Sequence, residues 1–435
     1  FSPFVYQHAL FRLWGACDLS LITRICSSHL DFVFLRPLDD LFVPGAARDK
    51  AYIMVSGQMV YFQFPESSAV TTETETQVQE GRWISEAALW TNWHHVGTAE
   101  SVGKTQLMVL SGSAVVEVLK MHHNIRVVTL EYGRQFHKRI ISASPPGSAY
   151  PTDLSVPFAE YSDIVSSMSQ EFQVTIGLWA LEHHSHNNWR RGKASDGSSK
   201  LRAEIESGKS VAMMNIQGEV ERLVSVIALK IVNEDETMLV QLGKREEIGK
   251  DPPESKMVST VVLPGGKQER GELMRDAVDR LVGAKLAPLA GCIKVVGTSR
   301  TVEWKDSKEF GVRTKYMRTE CMTRLDGEFQ ALASTVTADL RPLMSSHGSD
   351  GMVLRTIFGI WDKGKLGLYG WLREEEFAAL KTGEVEETAM VSWLHEVEAQ
   401  IADTSSREQQ GPNGDNADTA FIRAASDEEC GGLPE

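Results

Sequence analysis

Short apolar runs separated by glycines and polar turns dominate the stretch from Leu41 to Ser111. Turn residues stand between these runs at Pro44-Gly45 and at Ser56-Gly57-Gln58. Several short strands at a spacing of roughly 8–12 residues predict a closed or sandwiched β-roll. The runs with the length and composition of strands are Leu41–Val43, Tyr52–Val55, Met59–Phe64 and Leu107–Leu110.

Helical periodicity flanks this predicted roll on both sides. Between Leu19 and Ser28 the apolar side chains recur at helical spacing, and Asp18 is placed to cap the helix. After Ser111 the apolar positions predict helices that lie back on the roll as far as Ile140. The Thr- and Glu-rich insert between Pro65 and Gly81 has no aromatic residue, so we expect a mobile loop there.

The second half of the chain mixes strand and helix patterns. Leu223–Val232 and Met238–Leu242 predict a hairpin, Val258–Leu263 a further strand, and Glu272–Leu286 an amphipathic helix. This order predicts an α+β unit. Later strands are expected at Cys292–Val296, Tyr316–Met322 and Tyr369–Leu372, and later helices at Glu374–Leu380 and Glu387–Ile401.

The expected fold class is therefore multidomain: an all-β, jelly-roll-like roll with flanking helices, followed by the α+β unit. We expect a helical lead at 1–32 and the roll with its C-terminal helix at 33–140. A helical and linker region, with a helix over Val156–Leu181, follows at 141–215. The α+β unit spans 216–402, and a disordered acidic tail spans 403–435 because that segment lacks apolar density.

Composition narrows the classes of function. The 435 residues carry 45 basic and 59 acidic side chains, a net charge of −14, so no nucleic-acid partner is expected. No stretch has the apolar length of a membrane span. Five cysteines without CxxC spacing predict a reduced, cytoplasmic chain. Because the first residue is Phe1 and not Met, a place on the cytosolic side of a membrane protein stays open.

The first half resembles the cyclic nucleotide-binding domain family over roughly Ser2 to His137. The similarity rests on a short helix before the roll, on PGAARDKAYIMVSGQMVYF, and on GRWISEAALWTNWHHVGTAES followed by QLMVLS. In that family the stretch that corresponds to GRWISEAALWTNWHHVGTAES holds the cyclic phosphate. The resemblance implies a regulatory protein with cAMP or cGMP as the possible ligand.

The resemblance also implies site residues. Glu86 matches the family's ribose-binding glutamate, Ser85 stands in the place of a glycine, and Thr98 matches a threonine near the phosphate. His95 stands where the family has an arginine, and a histidine offers the phosphate one donor in place of a two-pronged cation. The candidate cyclic nucleotide-binding residues are Ser85, Glu86, Ala87, His95, Val96 and Thr98.

The stretch LPGGKQERGELMRDAVDRLVGAKL resembles the signature of Nudix hydrolases. Gly266, Glu272 and Arg280 stand at the family's spacing, and the candidate site residues are Gly265, Gly266, Glu269, Glu272 and Arg280. The glutamates that hold Mg²⁺ in that family are replaced, most tellingly by Leu281 and Lys285. The resemblance implies a degenerate, non-catalytic Nudix-like domain, with Mg²⁺ needed only if the site is active; no metal site and no catalytic residue are assigned.

Two hypotheses follow. The first is a regulatory or sensor protein that joins the roll to a non-catalytic Nudix-like domain. The aromatic lead PFVYQHALFRLW is similar to the connector of cyclic-nucleotide-regulated ion channels, which suggests that context. The second is a Nudix-type hydrolase of nucleoside diphosphate derivatives with a regulatory roll. A protein partner or a homo-oligomer is compatible with both.

Overall fold

The computed structural model describes residues 1–120, 122–189, 197–248, 254–325, 335–343, 353–362, 365–382 and 386–409. Three short helices open the chain: α1 (Ser2–Val5), α2 (Ala9–Cys17) and α3 (Leu19–Arg24). The predicted cap of α3 is confirmed, because the Asp18 side chain accepts a hydrogen bond from the backbone N–H of Ser20. A single π-helical turn, Ile25–His29, then leads into the roll.

The roll consists of two antiparallel sheets in the described part of the chain. One has the strand order β1-β10-β4-β7 and the other β2-β9-β5-β6, while β3 pairs with β8. All four strands expected from the apolar runs are present, with each end within two residues of the expected position. The strands are β1 (Leu30–Leu35), β2 (Asp40–Phe42), β3 (Ala47–Arg48), β4 (Lys50–Ser56), β5 (Met59–Gln63), β6 (Thr74–Val78), β7 (Trp83–Ile84), β8 (Trp93–His94), β9 (Thr98–Ser101) and β10 (Thr105–Ser111).

The insert between Pro65 and Gly81 is not wholly a loop, so that prediction was wrong in part. Residues 74–78 form β6, an edge strand that pairs with β5. Only Val78 of this strand is buried, and the other side chains face solvent. An edge strand with so little buried surface leaves no apolar alternation in the sequence to identify it.

Helices connect the roll to the second half of the chain. They are α4 (Gly112–Leu119), α5 (His123–Ser142), α6 (Tyr161–Ser167), α7 (Gln170–Trp189) and α8 (Gly197–Glu206). The single helix expected over Val156–Leu181 is wrong, since the chain is irregular before Tyr161 and breaks again at Met168, whose backbone is extended. Pro157 disfavours a helical conformation at the residue before it, which delays the start. We call the irregular residues 143–160 the connecting segment.

The second half is built on one mixed sheet. Its strand order is β16-β17-β12-β13-β20-β19-β18, with β11 and β15 paired to β12 and β14 paired to β13. Helix α9 packs on one face of the sheet and α11 on the other. The elements are β11 (Val211–Met214), β12 (Val220–Val232), β13 (Met238–Ile248), β14 (Glu254–Val262), β15 (Gly265–Lys267), α9 (Met274–Lys285), β16 (Ile293–Asp306), β17 (Arg313–Leu325), β18 (Thr335–Asp339), β19 (Leu354–Asp362), β20 (Lys365–Leu372), α10 (Glu374–Lys381) and α11 (Glu387–Gln409).

Several boundaries differ from expectation. The predicted hairpin of β12 and β13 meets only at Val232 and Met238, because β11 and β15 pair with the rest of that edge of β12 while β17 pairs with its other edge. The sheet also begins earlier than expected, since β11 starts at Val211. Helix α11 continues to Gln409, past the predicted end at Ile401, so residues 403–409 are helical. The rest of the expected disordered tail lies outside the described residues.

The two halves share a hydrophobic core. Leu10, Phe11 and Trp14 of α2 are almost fully buried, and they belong to one cluster with Met213 of β11 and Met317 of β17. The aromatic lead therefore lies between the roll and the mixed sheet. No helix within the described ranges has both the length and the apolar character to cross a membrane.

Candidate functional site

The candidate site in the roll begins where β7 turns into a short 3-10 helix, Glu86–Leu89. Ser85 starts this turn with a φ of 56° and a ψ of 37°, a left-handed conformation that glycine adopts without strain. Its carbonyl accepts a hydrogen bond from the Ala88 N–H. The glycine that the family places at this position therefore has a local physical reason, and this chain accepts the strain with a serine.

The polar groups around Ser85 converge on the carboxylate of Asp153. Oxygen Oδ1 of Asp153 accepts hydrogen bonds from Trp93 Nε1 at 2.7 Å and from His95 Nδ1 at 2.7 Å. The Ser85 hydroxyl donates to the same oxygen at 3.2 Å. Ser85, His95 and Asp153 are each 2 % exposed or less. The histidine that stands in the place of an arginine is thus fully engaged with an acidic side chain of the same protein.

The second carboxylate oxygen of Asp153 is equally saturated. Oδ2 accepts from the Tyr61 hydroxyl at 2.8 Å and from the backbone N–H groups of Val96 at 2.9 Å and Gly97 at 3.2 Å. Within the described part of the chain, six donors therefore surround one carboxylate. We call this set of donors, from Tyr61, Ser85, Trp93, His95, Val96 and Gly97, the anion site.

The electrostatics of the anion site favour a charged occupant. Burial raises the pKa of Asp153, but hydrogen bonds from His95, Trp93 and Val96 outweigh it and hold the pKa below its ordinary value. Burial and the adjacent Asp153 charge raise the pKa of Tyr61, which keeps its hydroxyl protonated as a donor. Asp153 is therefore a carboxylate at neutral pH.

Backbone contacts fix the connecting segment in this position. The Ser85 N–H donates to the Asp153 carbonyl at 2.6 Å, and Arg82 donates to the Leu154 carbonyl at 3.1 Å. The Thr152 hydroxyl accepts from the N–H groups of Leu154 and Ser155, which turns the chain locally. These contacts hold the Asp153 side chain inside the roll.

The His95 ring is fixed by packing as well as by Asp153. It stacks face to face on Phe42, with ring centroids 3.7 Å apart and an interplanar angle of 4°. Its Nε2 atom is buried and has no hydrogen-bond partner among the described residues. The Nδ1 edge of His95 is therefore the edge that holds the Asp153 carboxylate.

Glu86 does not join the anion site. Its Oε1 atom accepts hydrogen bonds from His8 at 2.9 Å, Trp90 at 3.2 Å and Tyr132 of α5 at 3.1 Å. Burial raises the pKa of Glu86, but the contact with His8 and the other two donors hold it below its ordinary value. The predicted ribose-binding glutamate thus faces the flanking helices.

Of the other predicted residues of the roll, Val96 joins the anion site, and Ala87 and Thr98 do not. Val96 contributes its N–H to the anion site, while its carbonyl accepts from the Ser68 hydroxyl. Ala87 is a buried apolar residue of the 3-10 helix, and Thr98 begins β9 opposite Phe62. The structure therefore brings together Ser85, His95 and Val96 of the predicted set.

Sequence analysis missed Asp153. It lies in a segment whose Pro and Ser content indicates a linker, and no motif includes it. One indirect indication exists: a group of neutral donors around His95 without a guanidinium is suited to a singly charged anion such as a carboxylate. That argument does not identify which of the chain's acidic residues is the partner.

The predicted Nudix-like residues form a second arrangement around β15 and α9. Gly265 and Gly266 pair with Ala228 and Ile227 of β12, and a Cβ atom on Gly265 would overlap the Ile227 backbone oxygen. A glycine is required there by close approach of the two strands. The glycines of the motif therefore have a structural role in this chain.

The charged residues of this second arrangement neutralise one another. Arg280 donates to both carboxylate oxygens of Glu272, with Nη2 to Oε2 at 3.0 Å, and lies 3.5 Å from Glu269. Burial raises the pKa of Glu272, but Arg280 and the Glu269 N–H hold it below its ordinary value. Lys285 donates from Nζ to the Gly265 carbonyl at 2.5 Å. The ammonium group of Lys285 is therefore bonded to a backbone oxygen of the glycine-containing stretch.

Comparisons with known proteins find similar solved structures, and those described below each cover a quarter to a third of this chain. No family model matches, and no curated protein matches. A cyclic nucleotide-binding-like protein from Brucella abortus is 22% identical over 25% of this chain and 96% of its own, with a TM-score of 0.21. The N-terminal domain of a transcriptional regulator from Streptomyces coelicolor is 19% identical over 33% of this chain and 99% of its own, with a TM-score of 0.26. The sensor domain of the transcriptional regulator DNR from Pseudomonas aeruginosa is 19% identical over 33% of this chain and 98% of its own, with a TM-score of 0.25.

Proposed function

We propose that this chain is a regulatory protein in which a cyclic-nucleotide-type roll provides an anion site and a Nudix-like unit serves as a non-hydrolytic partner domain. The observation that carries this proposal is the convergence of hydroxyl, indole, imidazole and backbone donors on one buried anionic group. Donors aimed at one point in a dry interior form an anion site, whatever anion they hold.

The kind of anion follows from the donors. The site lacks a guanidinium, so neutral donors and His95 hold the charge, which suits a singly charged group such as a carboxylate or a cyclic phosphate diester. A cyclic nucleotide such as cAMP or cGMP is therefore the ligand class proposed for the roll. Because Glu86 faces His8 and Tyr132, the ribose of such a ligand gains no contact from it.

Calorimetric titration tests this proposal. We expect wild-type protein to bind cAMP or cGMP only weakly, in the millimolar range, because Asp153 fills the anion site, and Asp153→Ala to bind at least one of them on the order of 100-fold more tightly. Adding His95→Gln to Asp153→Ala removes the binding. Adding Glu86→Gln leaves it unchanged, since that side chain lies outside the anion site.

Glu160→Gln is the matched control for the titration. It removes another carboxylate of the connecting segment, an exposed one that pairs with Lys315 at 3.4 Å, and is expected to behave as wild type. A folded Asp153→Ala variant that binds neither nucleotide nor inorganic phosphate contradicts the proposed anion site.

The regulatory part of the proposal rests on the continuity of the chain. The connecting segment runs from the anion site directly into α6, whose Asp163 contacts both Arg139 of α5 and Arg300 of β16. The roll and the mixed sheet also share a hydrophobic core. The aromatic lead that suggested an ion-channel context packs in the shared core, so the proposed function does not include that context.

The alternative is a Nudix-type hydrolase, and one observation favours it. The ion pair of Glu272 with Arg280 keeps the motif's loop attached to α9. Against it, Lys285 places a positive charge on the Gly265 carbonyl, where a divalent cation would be repelled. Release of phosphate or nucleoside monophosphate from nucleoside diphosphate derivatives in the presence of Mg²⁺, abolished by Glu272→Gln, would establish the alternative.

A further inference from the structure

We infer that the connecting segment is an internal competitor for the anion site, displaced when an external anion binds and able to pass that displacement to α9. This inference rests on the proposed function and names its regulation. Asp153 and a ligand phosphate carry the same charge and require the same donors, so the anion site holds one of them at a time.

Displacement has to involve the backbone and not the side chain alone. The Asp153 carbonyl also accepts the Ser85 N–H, at the same turn that supports the anion site. A ligand phosphate at Ser85 therefore competes with the main chain of the segment as well as with its carboxylate.

Apart from Asp153, few polar contacts hold the middle of the segment to the roll, and its apolar contacts come from the partly buried Leu154 and Val156. Tyr150 is about half exposed and Ser155 is exposed, while the Leu154 carbonyl is bonded to an exposed Arg82. Thr152 bonds only within the turn itself. Most of the polar attachment between roll and segment thus passes through one carboxylate, and losing it releases the middle of the segment.

Both ends of the segment contact the second half of the chain. The Gly147 carbonyl accepts from Thr298 of β16 at 3.0 Å, and the Phe158 carbonyl accepts from Arg139. The Arg300 guanidinium lies over the Phe158 ring, 5.6 Å from its centroid. A movement at Asp153 therefore pulls on residues that are bonded to β16 and α5.

A cavity links these ends to α9. It has a volume of about 670 Å³, with Pro145, Pro146 and Phe158 of the connecting segment on one side and Met274 and Val278 of α9 on the other. Because the segment forms one wall of this cavity, its release changes the surroundings of the first turns of α9. This is the route by which occupancy of the roll reaches the Nudix-like unit.

Hydrogen–deuterium exchange on the full chain tests the inference. In wild-type protein we expect slow exchange across 93–97 and 150–157, and intermediate exchange in the first turns of α9. Asp153→Ala raises exchange of 150–157 on the order of 10-fold or more and changes exchange at 274–279. Added to Asp153→Ala at saturation, cAMP, cGMP or inorganic phosphate then slows exchange at 93–97 but not at 150–157. A purely structural role of Asp153 would not produce this difference between the two stretches.

The arms of the experiment separate the possible ligands and the possible failures. Restoration by a cyclic nucleotide but not by inorganic phosphate identifies the cyclic ester as the ligand group, and restoration by both identifies any phosphate. Asp153→Asn serves if Asp153→Ala does not fold, since it keeps the shape but turns an N–H₂ group toward donors. Glu160→Gln is the control and leaves exchange at both stretches unchanged.

Competition gives the second measurement. The apparent affinity of the same anion should be on the order of 100-fold tighter for Asp153→Ala than for wild type, because the segment no longer occupies the site. Equal affinities, or a segment that stays protected in the variant, overturn the inference. If Asp153→Ala releases the segment but binds no anion, the result overturns the proposed function instead.

Discussion

At position 95 a histidine stands where the family resemblance implies an arginine, and its partner lies 58 residues further along the chain. An arginine would bring a permanent charge that an external phosphate would have to match. His95, stacked on Phe42, presents one donor, and the Asp153 carboxylate accepts it together with neutral donors. At the scale of single residues, the protein therefore completes its own anion site.

The dependence of stability on pH tests the state of Asp153. Its folded pKa lies below the unfolded value, so its stabilising contribution is present above the unfolded pKa, about 3.9, and is lost as the pH falls through the folded pKa. We expect Asp153→Asn to lower the free energy of unfolding by about 3–5 kcal/mol at pH 7, as for a broken buried pair.

Urea unfolding between pH 7 and pH 3 measures this difference. The gap between wild type and Asp153→Asn should be constant from pH 7 to about pH 5 and should shrink below about pH 4. A gap of the same size at pH 3 would show that folding does not shift the pKa of Asp153, and a gap that widens toward pH 3 would show that the carboxyl group is protonated in the folded protein.

Helix α9 shows at the scale of one element that a strand–loop–helix arrangement with the expected glycines can form without a cluster of carboxylates on the helix. The strand–loop–helix order is present, and Gly265 and Gly266 pair with β12. Arg280 and Lys285, on this helix, donate respectively to Glu272 and to the Gly265 carbonyl. The element is stabilised by the positive groups that make it unsuited to a divalent cation.

Substitution of Lys285 tests this interpretation of α9. Lys285→Gln shortens the side chain and removes its charge, so we expect the free energy of unfolding to fall by about 1 kcal/mol. Wild type and Lys285→Gln should both release no phosphate from nucleoside diphosphate derivatives with Mg²⁺, measured by a phosphate assay. Turnover by wild-type protein that is lost in Glu272→Gln would refute the non-hydrolytic assignment.

The whole molecule is organised around α2. Phe11 is fully buried and contacts Trp14 and Trp83 edge-on or tilted, in the cluster that also contains Met317 of the mixed sheet. The roll and the mixed sheet each have apolar clusters of their own, but both also pack on the side chains of α2. Unfolding of one half therefore exposes apolar surface of the other.

Truncation of Phe11 tests this shared core. Phe11→Ala should lower the free energy of unfolding by about 3–5 kcal/mol. Exchange at Leu107 in the roll and at Met317 in the sheet should rise together, in one cooperative transition. Phe34→Ala is the matched control, since Phe34 is 71% exposed, and should change little. A loss of protection confined to the roll would contradict the shared core.

Local sequence patterns predict a good part of this architecture. Four strands of the roll (β2, β4, β5 and β10), the Asp18 cap of α3 and the amphipathic helix α9 were expected from neighbouring residues. The wrong predictions, at β6 and at the start of α6, concern features that the local apolar pattern does not show. Edge strand β6 buries only one side chain, and the start of α6 depends on Pro157 and on packing against Arg139.

The sequence by itself determined where the chain extends, turns and coils, because those choices depend on the spacing of apolar side chains and on residues a few positions apart. It also placed Ser85, His95 and Val96 in one stretch. Only the tertiary structure decided that Asp153 completes their site and that Glu86 faces the helices. Those contacts join residues dozens of positions apart, and the packing of the connecting segment against the roll selects them.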